Sequence, residues 1–558
     1  MREDSIGLYN MAIIFGMSKK KALSFVEILL IILFAVGIIT FYYWYISQMV
    51  NNWCYPAEYR DNAVFKLIED LAKGDNPYSV DRLESSLPPV VLDSGFLHIY
   101  PAIFFVKVFG IKASGAMYLS NLIYLLLIAA LTARTCISID SAIGNNEKKL
   151  MLLEALCTIF CMLFYMQRAT YLVTRPDIFC VILLLLIIDL FTKPVIKEAH
   201  IFIASFMCVL IAFAKIHYAT ILFSIILFLA CRKEKKHRIR YIVEFCLSGI
   251  AFTIIVFLLV QWLYPTYLSF WIPRIMQMFM LNRRFTKDSV IYLINKIAIL
   301  CKQLRLEIIV LLFGMVNWIV LKRGEWLKID ETSKFLIINS VINFFVLIYV
   351  GRHEGADFWY FYVMLVPSVI LLSIKMIHRC VPNRFIYYSL IVLMLFGCTK
   401  KQIELMRHDS INNHKESFEV AYGILQKYES EEMFLSPYLS GYSMQKSIYN
   451  YNYGDSFYFV DESNADKMYN WIPCTKYLFP YTKDIFYQHL NYQKQIIEKV
   501  GNKEYSLIAI DNLDSIPPLF REEFVDNLNE HYQLEDTSNL NTLSGLPLRV
   551  EYWIPMAQ

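Results

Sequence analysis

Long apolar runs, punctuated by short basic or aromatic patches, dominate the first 400 residues. Stretches such as Ala22–Tyr45, Ile178–Phe191, Ile221–Ala230 and Phe245–Tyr264 lack Lys, Arg, Asp and Glu almost throughout. A helix needs about 20 apolar residues to cross a bilayer's hydrocarbon core, and runs of that kind recur. The pattern predicts about eleven spans, at 22–46, 114–135, 149–166, 175–192, 200–217, 218–231, 241–264, 305–321, 335–351, 360–377 and 383–399. The fifth and sixth are short enough to form a tight re-entrant pair. The first ends in Phe41-Tyr42-Tyr43-Trp44-Tyr45, an interfacial aromatic belt with no small-residue cleavage site, so it reads as an anchor and not a signal peptide.

Basic residues set orientation when they sit in short loops on one side. Lys19–Lys21, Lys148/Lys149, Lys193/Lys197, Arg232–Arg240, Lys322/Arg323/Lys328 and Arg379/Arg384 fall in alternate loops. They predict a multi-pass protein of the cytoplasmic (plasma) membrane, with the N-terminus cytoplasmic and the tail after residue 400 extracytoplasmic. Two parts result, a transmembrane domain over 1–400 and an extracytoplasmic domain over 401–558, with a first outside loop at 47–113. A second outside segment, 265–305, alternates Arg274, Arg283, Arg284, Lys287, Lys296, Lys302 and Arg305 with Trp271, Ile275, Met276, Phe279 and Met280. That alternation suits an amphipathic helix on the membrane surface. It serves either to bind anionic lipid headgroups or to form a basic wall above a phosphate site. In the tail, Glu432–Ser436 and Tyr505–Ile510 read as strands and Phe486–Gly501 as a helix between them, a mixed α/β arrangement.

Composition agrees. Of 558 residues 57% are apolar and 18% charged, against about 25% charged in soluble domains. The net charge of +4 is too small to argue for a nucleic-acid partner. Twelve cysteines sit mostly singly in apolar runs and read as small hydrophobes. A Cys54–Cys474 bridge stays open, and neither spacing nor clustering indicates a metal or another cofactor.

The best chemistry lies just past the first span. Residues 58–73 place Ala63, Leu67, Ile68, Leu71 and Ala72 at helical spacing, Gly74 stops the helix, and Asn76-Pro77 turns the chain. Glu58 and Asp61, three apart, share one face. His98-Ile99-Tyr100-Pro101 then precedes another interfacial helix, 102–109. In Glu58 and Asp61 after the first span, Gly74-Asp75-Asn76-Pro77-Tyr78, Tyr100-Pro101, and Thr174-Arg175-Pro176-Asp177 at a span's outer start, the chain resembles the GT-C superfamily. Its members are polytopic transferases using polyprenyl-phosphate sugars, such as the protein O-mannosyltransferases and aminoarabinose transferases. The paired Asp-Glu of some members is Ala57-Glu58 here, so the resemblance does not say which carboxylate is the base.

The resemblance covers roughly residues 20–400. It implies a GT-C-like α-helical polytopic fold with the C-terminal α/β domain appended, and transfer with inversion from a polyprenyl-phosphate-linked sugar to a glycan, lipid or protein acceptor. An ionised carboxylate, Glu58 or Asp61, takes the acceptor's proton, and cations stabilise the departing phosphate. Candidate donor-phosphate contacts are Arg175, Lys215, His217, Arg283, Arg284, Arg352 and His353; candidate acceptor or sugar contacts are Asp177, Tyr78 and Tyr100. Plainer readings stand beside these: a helix cap for Glu58, a surface ion pair for Asp61 with Arg60 or Lys66, a helix-start pair for Arg175 and Asp177, and a snorkelling Lys215. Glu154, Asp189, Glu244 and Glu307, in or near spans, are expected at helix ends or in pairs, though intramembrane acids also mark ion pathways. A transporter or flippase of a lipid-linked or small polar substrate is therefore the rival reading, and a surface-polysaccharide polymerase or ligase a third.

Overall fold

The computed structural model describes residues 19–57, 61–84, 94–143, 148–193, 195–232, 237–281, 287–306, 308–312, 330–350, 363–380, 383–411, 414–448, 450–453, 475–511, 520–542 and 547–557. Helices α1 (Lys19–Asn52), α2 (Asp61–Lys73), α3 (Tyr100–Phe109), α4 (Ala113–Ile143), α5 (Lys148–Tyr171), α6 (Asp177–Phe191), α7 (Glu198–Ala214), α8 (Ile221–Ala230), α9 (Arg238–Leu263), α10 (Tyr267–Leu281), α11 (Lys287–Gln303), α12 (Glu331–Val350), α13 (Val366–Cys380) and α14 (Arg384–Ile411) lead to the tail. Among the described residues, four helical stretches are long and apolar enough to cross a membrane: Ser24–Asn52, Ala113–Ile139, Lys148–Met166 and Arg238–Leu263. Together with the composition they make this an integral membrane protein.

The apolar faces show why. Ile39, Ile254, Leu258 and Trp262 are exposed on α1 and α9, a cost in water that lipid removes. By contrast α6 is buried almost all round, an inner helix hydrophobic on every side. At about 1.5 Å per residue, α1 is about 50 Å long, longer than the hydrocarbon core, so its last turns emerge and lead straight into the first loop.

The helices alternate in direction. Lys149 Nζ donates to Ser24 Oγ at 2.7 Å, tying the starts of α5 and α1. Arg240 pairs with Glu198, tying the starts of α9 and α7. The other end gathers the first loop, the turn 172–176, the break after α7 and the tail. The stretch 200–231 forms α7, a 3-10 turn at Ile216–Thr220 and α8.

The tail continues with α15 (His414–Leu425), α16 (Pro437–Gln445), α17 (Thr482–Gly501) and α18 (Arg521–His531) around a five-stranded sheet. Its strands are β1 (Met433–Leu435), β2 (Tyr451–Tyr453), β3 (Leu507–Ile510), β4 (Tyr532–Asn541) and β5 (Pro547–Pro555), in the order β2-β1-β3-β5-β4. Strand β1 runs parallel to both neighbours, and the β4–β5 hairpin adds antiparallel pairs. Strands β1 and β3, buried along their whole length, fall where the apolar runs predicted them.

The first loop is part of the tail's core. Tyr55 stacks on Tyr442 with ring centroids 5.6 Å apart, and His414 Nε2 meets Asn52 Oδ1 at 3.0 Å. Helix α16 lies on α2 so closely that a Cβ on Gly441 would sit 3.6 Å from Asn62. On the far side Thr482 Oγ1 donates to the Ser269 carbonyl at 2.9 Å, and Gln488 Nε2 to the Arg82 carbonyl at 2.7 Å.

Candidate functional site

Asp61 opens α2, where an acid suits the helix's positive end. Its carboxylate is 1% exposed and is held from two sides. Oδ2 accepts the Ala57 N–H at 2.7 Å, and Oδ1 accepts the Thr174 hydroxyl at 2.6 Å. A surface pair with Lys66 is not what forms; Lys66 meets Asp70 at 2.7 Å instead. Thr174 is the joint. Its carbonyl accepts from His98 Nε2 at 2.7 Å, and the preceding carbonyl, Val173, accepts from Asn121 Nδ2 at 2.9 Å. Because a carbonyl only accepts, Nε2 carries the imidazole proton. Burial pulls the His98 pKa down from 6.5 to about 4, against the Thr174 carbonyl and the Asp177 charge, which raise it.

Three residues past Thr174, Asp177 begins α6 behind Pro176. Its Oδ1 accepts from Lys215 Nζ at 2.9 Å and from the Tyr218 hydroxyl at 2.7 Å. Lys215 and Asp177 are 8% and 3% exposed, so this is a desolvated ion pair and Lys215 does not snorkel. The backbone explains the arrangement. At Lys215 the chain is extended (φ −158°, ψ 110°) between α7 and the 3-10 turn, and 3-10 geometry puts residues three apart on one side, here Lys215 and Tyr218. Half-buried Arg175 lies close enough for its charge to act on Asp177. His217, on the same turn, is half-buried.

Gly95 closes the cluster. Its N–H donates to the Ala214 carbonyl at 2.9 Å, and a Cβ there would lie 1.7 Å from the Phe213 carbonyl oxygen. Only glycine lets the first loop approach the α7 end this closely.

Tyr78 is 4% exposed and stacks on Phe96 at 6.1 Å, with Tyr267 edge-on at 5.0 Å. Its carbonyl accepts from both the N–H and the hydroxyl of Thr266. Tyr100, 40% exposed, shares a 2.7 Å hydrogen bond with the Tyr264 hydroxyl. Burial raises the phenol pKa of both tyrosines.

The structure thus brings Asp61, Arg175, Asp177 and Lys215 to one end of the helices, with His217 on the adjoining turn, and Tyr78 and Tyr100 in an aromatic group beside them. Glu58, Arg283, Arg284, Arg352 and His353 lie outside the described residues. Sequence reading missed Gly95 and Tyr218 and gave Thr174 and His98 no role of their own. The Lys-x-x-Tyr spacing was available, but only the helix break gives it meaning. Of the intramembrane acids, Glu154 meets His378 Nδ1 at 2.7 Å and the Tyr387 hydroxyl at 2.6 Å, Asp189 meets Arg134 at 3.1 Å, and Glu244 meets Arg240 at 2.6 Å. Glu307 lies outside the described residues. No group of three or more His, Cys, Asp or Glu among the described residues is placed to hold a metal.

No protein-family model matches the chain, and no curated protein sequence matches it. Among solved structures it is similar to the crystal structure of ArnT from Cupriavidus metallidurans bound to undecaprenyl phosphate, with a TM-score of 0.45 and 12% identity over 89% of this chain and 87% of that one. A likeness of that size assigns no role to any residue here.

Proposed function

We propose that this protein is a membrane glycosyltransferase that moves a sugar from a polyprenyl-phosphate-linked donor to an acceptor, with inversion, at the end of the helices where the tail sits. The positive-inside reading of the basic loops supports an extracytoplasmic position for that end. The carrying observation is convergence. The first-loop acid Asp61 is fastened to the turn 172–176, and the same turn presents Arg175 and leads to the Asp177–Lys215–Tyr218 group.

Sugar transfer from a lipid phosphate needs these parts. A carboxylate on the acceptor side, Asp61 or Glu58, takes the hydroxyl proton as the new glycosidic bond forms. The old bond to phosphate breaks, and the phosphate leaves with the electron pair. Its charge calls for fixed cations, and Arg175, Lys215, His217, Arg283, Arg284, Arg352 and His353 are the candidates. Such groups act most strongly where water is excluded. Asp177 holds the Lys215 ammonium in place, and Tyr78 and Tyr100 offer aromatic surface for a sugar. A transporter would instead concentrate ionisable groups at mid-depth. Among the described residues the charged pairs lie towards the two ends of the helices, with neutral amides and hydroxyls between them.

The test is a transfer assay in detergent or nanodiscs with a panel of polyprenyl-phosphate sugars. Glu58→Gln and Asp61→Asn are compared with wild type. Loss of one general base costs about 10²–10⁴-fold in rate, so one of the two variants falls by that amount. Full turnover by both removes the base assignment. No transfer from any donor, with translocation of a lipid-linked substrate in proteoliposomes, replaces the reading with transport.

A further inference from the structure

Asn339 and Asn343 stand one turn apart on α12 in the interior of the bundle, 0% and 3% exposed. Their amides form a ladder with one direction. Thr220 Oγ1 donates to Asn343 Oδ1 at 2.9 Å. Asn343 Nδ2 donates to Asn339 Oδ1 at 2.9 Å and to the Asn339 carbonyl at 2.8 Å. Asn339 Nδ2 in turn donates to the Met364 carbonyl at 2.9 Å and to Ser368 Oγ at 2.8 Å.

Buried side-chain amides are costly unless bonded, and once bonded they add only modestly to helix association in a membrane. Leucines would hold α12 to its neighbours about as well. What the ladder supplies is a fixed position for its far rung, Thr220, the last residue of the 3-10 turn Ile216–Thr220. That turn follows directly on Lys215 and carries Tyr218, the two donors to Asp177. The break is gripped on one side by the Gly95 N–H on the Ala214 carbonyl, and on the other by Asn343 on Thr220.

We propose that Asn343, backed by Asn339, is a positioning residue. It fixes the 216–220 turn and thereby holds Lys215 and Tyr218 on Asp177 from behind. The proposal rests on the transferase reading for its catalytic consequence, and on geometry alone for the coupling between Asn343 and Lys215.

Both parts are testable in the full chain. In the transfer assay Asn343→Leu and Thr220→Val each raise the donor KM by about tenfold with a smaller change in kcat, the mark of a misplaced binding group. The double variant is no worse than the worse single, and Thr220→Ser, which keeps the hydroxyl, behaves as wild type. Independently of activity, melting temperatures are measured for Asn343→Leu, Lys215→Met and the pair. The expected result is non-additivity, Lys215→Met costing less once Asn343 is gone, as for residues within one network. If Asn343→Leu does not assemble, Thr220→Val takes its place in the cycle and Thr220→Ser is its control. Additive shifts in melting temperature overturn the proposal and leave the ladder as helix packing. A donor KM within about twofold of wild type for Thr220→Val overturns it too. Absence of transfer by wild type with every donor strikes the transferase reading instead, and the melting cycle then decides the coupling.

Discussion

Two buried carboxylates, at opposite ends of the bundle, have nearly the same partners. Asp177 accepts from a lysine and a tyrosine hydroxyl. Glu154 accepts from His378 and a tyrosine hydroxyl, Tyr387. Their settings differ. Glu154 and its partners sit on the continuous helices α5, α13 and α14, so that group fastens three helices together. The partners of Asp177 come from a broken backbone, where an extended residue meets a 3-10 turn against a glycine of the first loop. Buried charge alone does not mark a site. Buried charge presented by irregular backbone, where loops converge, is the better sign, because that geometry is costly and helix packing does not need it.

The largest effect expected is at Asp177–Lys215. Removing one partner of a buried pair leaves an uncompensated charge at a cost of about 3–5 kcal/mol, so Lys215→Met and Asp177→Asn each lower thermal stability strongly and abolish transfer. The double variant removes both charges and regains stability without regaining transfer, which separates the two losses. Recovery of transfer in the double variant, read by the same assay, would erase the contrast between the ends. Glu154→Gln is the counterpart. It lowers the melting temperature while transfer stays within about threefold of wild type.

Next comes Thr174→Val, which removes the hydroxyl from Asp61 but keeps the carbonyl for His98. If Asp61 is the base, kcat falls by about 10–100-fold with donor KM little changed, because a hydrogen bond to a charged group contributes about 1.5–3 kcal/mol. An unchanged kcat places the base elsewhere, at Glu58.

The most gradual effect is the pH response of His98. Folding holds it neutral, with its pKa lowered to about 4 from an ordinary 6.5. Between those values the unfolded chain binds a proton that the folded chain refuses. Stability is therefore full above about pH 6.5, declines as pH falls towards 4, and levels off below. The whole decline amounts to about 3 kcal/mol. A melting curve series across that window, flattened in His98→Gln, checks it; equal slopes in both proteins would show that other groups carry the acid response.

Much of this was legible in the chain. Hydrophobic period and length gave the helices, Gly74 at φ +93° ended α2 as expected, and β1, β3 and α17 fall on the runs that announced them. Such features are local, since a residue's preference and its near neighbours suffice. The candidate residues were legible as a list but not as an arrangement. Asp61 on Thr174, Lys215 with Tyr218 on Asp177, and Gly95 on the end of α7 join positions that are 38 to 113 residues apart for the bonded side chains, and no spacing rule encodes those meetings.

By itself the sequence determined that the chain lives in a bilayer, which segments are helical and which residue types are available for chemistry, because burial in lipid is set by composition over about 20 residues. Tertiary packing alone decided that Lys215 is a buried partner and not a snorkelling surface charge, and that the first loop belongs as much to the tail's core as to the bundle. Those outcomes depend on which distant backbone reaches a side chain first, and that is settled only when the helices pack.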